Sequence, residues 1–142
     1  MALKIIDHGT PEYQQMVELR YHILRKPLGL DFSEADLEQE KQDVLMGCFD
    51  DDKLEGCCLL TPFSKNALRL RQMAVGMGIQ GKGIGRVLMN FAENIARDMG
   101  NEKILMHARH SAVGFYEKLG YKICSDEFEE VSIPHYVMEK EL

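Results

Sequence analysis

The spacing of hydrophobic and polar residues divides the chain into strand-like and helix-like segments. Residues 68–71 alternate between apolar and polar side chains, which is typical of a strand and predicts one over residues 68–75. From Ile84 onward, apolar residues recur three and four positions apart, the pattern of a helix that packs on one face. The whole chain predicts the order β-α-α-β-β-β-α-β-α-β-β, in which a mixed sheet carries helices on its faces.

Local signals mark the starts of the first two helices. Thr10 followed by Pro11 is typical of a helix start, and Ser33 with Asp36 resembles a capping pair. Arg20 interrupts the apolar stripe of the first helix. The predicted helices cover residues 11–26, 33–40, 84–99 and 111–119, and the predicted strands cover 3–6, 44–49, 54–60, 68–75, 103–108, 121–125 and 136–140.

Length and composition narrow the class of protein. The chain has 142 residues, 45% of them hydrophobic, and is predicted to form one domain over residues 1–142. No apolar run approaches about 18 residues, so no membrane span is predicted. The first ten residues lack the features of a secretory signal, and the four cysteines form no CxxC pair. We therefore expect a cytoplasmic protein with reduced thiols.

The net charge of −6 argues against a nucleic-acid partner, because phosphate backbones require a basic face. By itself, an acidic surface would suit a cationic acceptor. A small anionic ligand at one local site is compatible with this charge.

The segment VGMGIQGKGIGR, residues 75–86, contains three overlapping phosphate-binding signatures. A Walker A loop requires Ser or Thr after its lysine, but Gly83 follows Lys82. A dinucleotide fingerprint requires an acid at the end of the next strand, whereas Asp98 and Glu102 precede that strand. The sequence therefore disfavours the first two signatures.

The third signature is Gln80-x-x-Gly83-x-Gly85, which leads from a predicted strand into the amphipathic helix. Small residues let a ligand approach the backbone closely, and the unpaired N–H groups of a helix start attract phosphate. A glycine-rich turn without a ligand is the alternative.

This signature and the later segment FYEKLGY, residues 115–121, together resemble the GNAT superfamily of acyl-CoA N-acyltransferases, in particular its small bacterial single-domain members. The resemblance is strongest over residues 69–121, and Ile133-Pro134-His135 is similar to one branch. It implies an α/β fold with a mixed, mostly antiparallel central sheet, flanked by helices and splayed in its middle. It also implies acetyl-CoA as co-substrate and no metal.

The resemblance assigns the acyl-CoA site to the strand 68–75 and the loop that follows it. The strand end would pair with the pantetheine arm, and an N–H near Met73 or Ala74 would polarise the thioester carbonyl. The loop backbone would bind the pyrophosphate, with added charge from Lys82 and Arg86. The implied binding residues are Met73, Ala74, Val75, Gln80, Gly81, Lys82, Gly83, Ile84, Gly85 and Arg86.

Tyr116 and His135 form the predicted catalytic pair. In the family, a tyrosine at the position of Tyr116 protonates the leaving thiolate, although its helical spacing also fits a core residue. The strand 68–75 lacks the carboxylate that many members use as base, which leaves His107, His110 and His135 as candidates. Arg109 stands where many members have an asparagine that contacts pantetheine. No Cys or Asp spacing suggests that the histidines bind zinc.

The predicted function is transfer of an acetyl group from acetyl-CoA to an amine by direct attack. The acceptor would be a small molecule or a peptide, and residues 20–36 and 128–136 are expected to line its pocket. Homodimers are also compatible with this class of acetyltransferase. The sequence departs from the family pattern in two places, since strand 68–75 lacks the carboxylate and Arg109 replaces an asparagine. Two alternatives therefore remain. One is a module that senses acyl-CoA without turnover, and the other is acyl transfer to a group other than a simple amine.

Overall fold

The alternating and helical patterns of the chain produce one eight-stranded sheet with four helices in a computed structural model that describes residues 1–142. The helices are α1 (Pro11–Arg20), α2 (Glu34–Gln39), α3 (Ile84–Asp98) and α4 (Val113–Lys118). The strands are β1 (Ala2–Ile6), β2 (Val44–Asp50), β3 (Lys53–Ser64), β4 (Ala67–Val75), β5 (Lys103–Arg109), β6 (Lys122–Ile123), β7 (Phe128–Glu130) and β8 (Ile133–Glu141). None of the helices has both the length and the apolar character that crossing a bilayer requires.

The strands follow the order β1-β2-β3-β4-β5-β8-β6, and β7 pairs with β8. All neighbours are antiparallel except β4 and β5. The parallel pairing of β4 with β5 begins at Ala67 and Lys103 and stops after Leu70 and Met106. Beyond that point the two strands are not paired, so the sheet is open at its middle. The mixed, mostly antiparallel and splayed α/β sheet predicted from the sequence is confirmed.

Each face of the sheet has its own hydrophobic core. The larger core lies against α3 and α4, and the smaller core lies against α1. Consecutive strand residues enter opposite cores, as Cys57 and Cys58 do in β3, because side chains alternate across a strand. We call these two sides of the sheet the α3 face and the α1 face.

The helix starts agree with the predictions. The Thr10 side chain accepts a hydrogen bond from the Tyr13 N–H, and Ser33 and Asp36 form a complete capping box. Arg20, predicted as an interruption of the apolar stripe, is instead fully buried. Its two terminal nitrogens donate to the Glu40 carboxylate at 2.8 and 2.6 Å, so the charge is neutralised inside the protein.

Two segments differ from the prediction. The predicted strand 121–125 is reduced to β6, and β7 was not predicted. Strands β7 and β8 are joined by Val131 and Ser132, both with positive φ (+47° and +63°), which is the conformation of a tight hairpin turn. Asn-Gly or Asp-Gly usually marks this turn, and the sequence lacks that signal here. After α1 the chain also continues through a π turn, Tyr21–Arg25, before Gly29 ends the helical region.

Candidate active site

A cleft of about 980 Å³ occupies the opening between β4 and β5. The α3 face contributes Ile84 at the start of α3 and Tyr116 from α4. The α1 face contributes Arg25, which follows α1, together with residues of the β7–β8 hairpin. The cleft therefore reaches both faces of the sheet, so two ligands that enter from opposite sides could meet at its middle.

The loop before α3 presents unpaired backbone donors to the cleft. No backbone carbonyl accepts a hydrogen bond from the N–H groups of residues 80–86. The helix start lacks a side-chain cap, and its first turn contains no acidic residue. Gly83 has a φ of +84°, a conformation that favours glycine, and it turns the chain into α3. This arrangement suits an anion such as a pyrophosphate.

The start of α3 is packed closely against α4. A Cβ atom built on Gly85 would lie 3.1 Å from the Phe115 ring, so a larger residue would push α4 away. The Gln80 side chain also donates to the Val75 carbonyl at 3.1 Å, which ties the loop to the end of β4. Of the two basic residues predicted here, Arg86 lines the cleft, whereas Lys82 does not.

The open edge of β4 carries a bulge at Gln72. Arg71 pairs with Leu59 and Ala74 pairs with Cys57, so Gln72 and Met73 together oppose one residue of β3. Gln72 has a φ of +58°, which is unusual outside glycine. Beyond the last pairing with β5, the backbone edge of β4 faces the cleft and is free to pair with an extended ligand. The predicted residues Met73, Ala74 and Val75 all line this part of the cleft.

Tyr116 lies on the α3 face of the cleft. It is 6% exposed and belongs to the larger core, where its ring packs edge-on against Phe115 and Tyr121. Its hydroxyl group has no hydrogen-bond partner in the protein, and the residue lines the cleft. Burial, and to a lesser degree Cys58, raises the pKa of Tyr116, so the side chain remains a protonated phenol at neutral pH. Tyr116 is therefore both a core residue and an available proton donor.

Strand alternation directs a second set of side chains to the α1 face. Met106 and Ala108 of β5 enter the larger core, so His107 and Arg109 point the other way. His135 of β8 is the register partner of Arg109 and therefore shares its side of the sheet. All three residues line the cleft.

The tautomer of His135 follows from its backbone contact. Nδ1 lies 2.7 Å from the Ile133 carbonyl oxygen, which can only accept, so Nδ1 carries a proton. In the neutral ring, Nε2 is then the atom with a free lone pair. Nε2 lies 3.6 Å from Oε2 of Glu130. His135 is 3% exposed and is thus held in one orientation.

Glu130 is a site residue that the sequence analysis missed. Its Oε1 lies 2.9 Å from Nδ1 of His107 and 4.0 Å from Nη2 of Arg69. Partial burial raises the pKa of Glu130, but its hydrogen bond with His107 and the charges of His107, His135 and Arg69 outweigh this effect. The net pKa lies below the usual value, so the group is a carboxylate at neutral pH. Glu130 lies within the segment 128–136, expected to line the pocket, but no pattern distinguishes it from the neighbouring acids.

Several other candidates lie outside the cleft. The His110 side chain is 66% exposed and contacts Glu127 at 3.5 Å. Cys57 and Cys58 are fully buried and do not line the cleft. Burial raises the pKa of Cys57 to about 12 and raises that of Cys58 well above its usual value, so neither thiol is a reactive nucleophile. No group of three or more His, Cys, Asp or Glu side chains is arranged to hold a metal ion.

The sequence is similar to a family of acetyltransferase domains and to two Bacillus subtilis proteins. A family model described as an acetyltransferase (GNAT) domain matches residues 13–142. The chain is 36% identical over 90 residues to the Bacillus subtilis protein YyaT, covering 63% of this chain and 50% of that protein. This match thus spans about half the length of that relative. The chain is also 29% identical to YitI of the same organism, named as an N-acetyltransferase, with 97% of both chains covered.

A similarity in fold extends to solved structures. The structure of an aminoglycoside 6′-N-acetyltransferase complexed with coenzyme A superposes with a TM-score of 0.82. The match covers 99% of this chain and 97% of that one, at 19% sequence identity. At 19% sequence identity, this similarity shows that the two proteins share a fold.

Proposed function

Because the chain belongs to the GNAT family of acetyltransferase domains, we propose that it transfers an acetyl group from acetyl-CoA to an amine, using Tyr116 and His135. One observation carries the proposal. The open sheet connects a proton donor on its α3 face with a histidine and a carboxylate on its α1 face, within one cleft. The thioester and the amine would approach from opposite faces and react at the opening.

The α3 side fits the acyl-CoA. The unpaired N–H groups of residues 80–86 suit its pyrophosphate, and Arg86 adds charge at the same end of the cleft. The free edge of β4 from Met73 to Val75 suits the pantetheine arm, which can pair like an added strand. Bound acetyl-CoA supplies the activated acetyl group. A backbone N–H of Met73 or Ala74 polarises its carbonyl.

His135 acts on the amine. An alkyl amine with a pKa of about 10.4 is neutral in only about one molecule in 2,500 at pH 7, a deficit of about 4.6 kcal/mol. The free Nε2 of His135 takes a proton from the ammonium form, and the adjacent Glu130 carboxylate attracts that ammonium into the cleft. These two residues supply the basic function that β4 lacks, which weakens the case for a sensor without turnover.

Tyr116 acts on the leaving group. Its buried phenol donates a proton to the sulfur as the carbon–sulfur bond breaks and the carbon–nitrogen bond forms. The amine attacks directly, because Cys57 and Cys58 are buried thiols outside the cleft. The attacking nitrogen then loses its second proton to solvent, which returns a proton to Tyr116. The products are the N-acetylated amine and CoA with its thiol protonated, and one net proton is released through His135.

The test combines acetyl-CoA binding with release of the CoA thiol. Tyr116→Phe should bind acetyl-CoA with unchanged affinity and lower kcat by about 10-fold or more. Activity should not be abolished, because a thiol of pKa about 8.5 is a tolerable leaving group even without an acid. Tyr121→Phe is the matched control. It removes a hydroxyl group from the same core, where that group donates to Glu93 at 2.9 Å and does not line the cleft.

Two outcomes would overturn the proposal. If Tyr116→Phe and Tyr121→Phe have the same kcat as the wild type at every pH, Tyr116 is not the acid. If the protein binds acetyl-CoA tightly but releases no thiol with any amine of a broad panel, the sensing alternative replaces transfer.

A further inference from the structure

Three arginines on the α1 side of the cleft have no hydrogen-bond or ion-pair partner in the protein. Arg25, Arg71 and Arg109 all line the cleft. None of them makes a side-chain hydrogen bond or an ion pair, although the structure contains ion pairs at Arg20, Arg69 and Arg97. This concentration of positive charge contrasts with the net charge of −6 for the whole chain.

The unpaired guanidinium groups are close enough to repel one another. Burial lowers the pKa of Arg25, and the charges of Arg20, Arg71 and Arg109 lower it further. Asp36 opposes this effect only in part. Arginine remains charged at neutral pH in any case, so the protein holds like charges together at one end of the cleft. An anion bound between them would relieve this repulsion.

The position of Arg25 is fixed by packing. Its Cζ lies 4.8 Å from the centre of the Phe32 ring, and Cζ of Arg20 lies 4.7 Å from the same ring. Arg20 is itself held by the two oxygens of Glu40. Nε of Arg25 is buried without an acceptor, which is unusual for a charged group. The guanidinium is thus held in place with unused donors before any ligand arrives.

Arg71 and Arg109 are placed by strand alternation. Leu70 and Ala108, their neighbours in sequence, enter the larger core on the α3 face. The two arginines therefore project toward the α1 face, as His107 and His135 do. The phosphates of CoA, by contrast, are assigned to the start of α3 on the opposite face.

We infer that the acceptor is an amine that also carries a carboxylate or phosphate group, bound by Arg25, Arg71 and Arg109 while its ammonium meets Glu130. This inference rests on the proposed function and names its substrate class. It modifies the expectation that an acidic surface would suit a cationic acceptor, because the local charge of the cleft differs from the net charge of the whole chain. Glu130 is the only carboxylate that lines the cleft.

A binding experiment tests the anion site without turnover. The protein is saturated with CoA, which fills the pyrophosphate site, and its melting temperature is followed with inorganic phosphate or with acetate. Sodium chloride at matched ionic strength is the reference. Stabilisation beyond chloride is expected for the wild type, lost in Arg25→Gln and Arg71→Gln, and retained in Arg97→Gln. Arg97 is the matched control because it lies on α3 outside the cleft.

A kinetic experiment tests the substrate class. Pairs of amines that differ in one anionic group are compared: ethanolamine with phosphoethanolamine, and β-alanine with its amide. The anionic member should have the higher kcat/KM, and Arg25→Gln should lower that value by about 10- to 100-fold, the usual effect of losing a hydrogen bond between charged groups. The pair with the larger difference identifies phosphate or carboxylate as the recognised group.

The outcomes separate this inference from the proposed function. Thiol release with a preference for uncharged amines would overturn the inference and leave acetyl transfer intact. Specific anion binding without thiol release would overturn acetyl transfer and leave the anion site intact. If neither phosphate nor acetate stabilises the protein beyond chloride, or if Arg25→Gln weakens only acetyl-CoA binding, the arginines do not hold the acceptor.

Discussion

On its α3 side the cleft offers the unpaired backbone N–H groups of residues 80–86, whereas its α1 side offers charged side chains. Apart from Tyr116 of α4, the residues predicted to bind acyl-CoA come from one continuous stretch, the end of β4 and the loop into α3. The side-chain side brings together Arg25, Arg71, Arg109, Glu130 and His135 from five separate segments. The geometry of the α3 side therefore depends on the dihedral angles of a few neighbouring residues. The geometry of the α1 side depends on how distant parts of the chain pack together.

The largest expected effect comes from the buried pair beneath the α1 side. Glu40→Gln leaves the buried Arg20 guanidinium without a counter-charge and should lower the free energy of unfolding by about 3–5 kcal/mol, measured by urea denaturation at pH 7. In the folded fraction, acetyl-CoA affinity should stay within about twofold, because the opposite side of the cleft is unchanged.

Glu38→Gln is the control for this prediction. Its carboxylate pairs with Lys41, and both side chains are more than half exposed, so this variant should lose far less stability than Glu40→Gln. Similar losses in the two variants would mean that the Arg20–Glu40 pair contributes no more than a surface contact.

The second prediction concerns the carboxylate on the α1 side. Glu130→Gln should lower kcat/KM for the amine by about 10- to 100-fold, because the ammonium loses its counter-charge. Glu129→Gln, which changes the exposed neighbour on the same strand, should leave the rate unchanged. Acetyl-CoA binding measured by calorimetry should be the same in both variants. A loss confined to acetyl-CoA binding would instead assign Glu130 to the other side of the cleft.

The same variant has a defined pH dependence. The pKa of Glu130 is lowered in the folded protein, so its contacts contribute stability above the ordinary value near 4.5. That contribution is lost as the pH falls through the lower, folded-state pKa. The stability difference between wild type and Glu130→Gln should thus be less than about 1 kcal/mol at pH 7, since Glu130 is 41% exposed, and should vanish on acidification. A difference that grows at low pH would contradict this assignment.

The difference between the two sides of the cleft also explains which site residues could be predicted from the sequence. The glycine-rich loop, residues 75–86, could be predicted because its geometry is encoded locally. Gly83 adopts a φ of +84°, and Gly85 leaves room for the Phe115 ring. Tyr116 could be located from the segment that contains it. Glu130 could not be singled out, because its importance arises from contacts with His107 and His135, which are 23 and 5 positions away in the chain. The burial of Arg20 likewise depends on Glu40, which no local pattern links to it.

The third prediction concerns the backbone side. Gly83→Val must hold a branched residue at a φ of +84°, which should cost about 1–2 kcal/mol of stability and raise the Kd for acetyl-CoA by about 10-fold. Gly83→Asn should lose less stability, because asparagine tolerates this conformation. Gly114→Ala, at an open position in α4, is the control and should retain both stability and binding. Equal losses in the valine and asparagine variants would show that space at residue 83, and not its dihedral angle, limits binding.

The smallest expected effect compares the two basic side chains at the loop. Arg86→Ala should raise the Kd for acetyl-CoA by up to about 5-fold, and Lys82→Ala by less than about 2-fold, because only Arg86 lines the cleft. Both effects should shrink as salt increases, since the side chains are exposed. If Lys82→Ala weakens binding as much as Gly83→Val does, then side-chain charge carries the affinity on this side too. The two sides of the cleft would then differ in the origin of their residues but not in the way they bind.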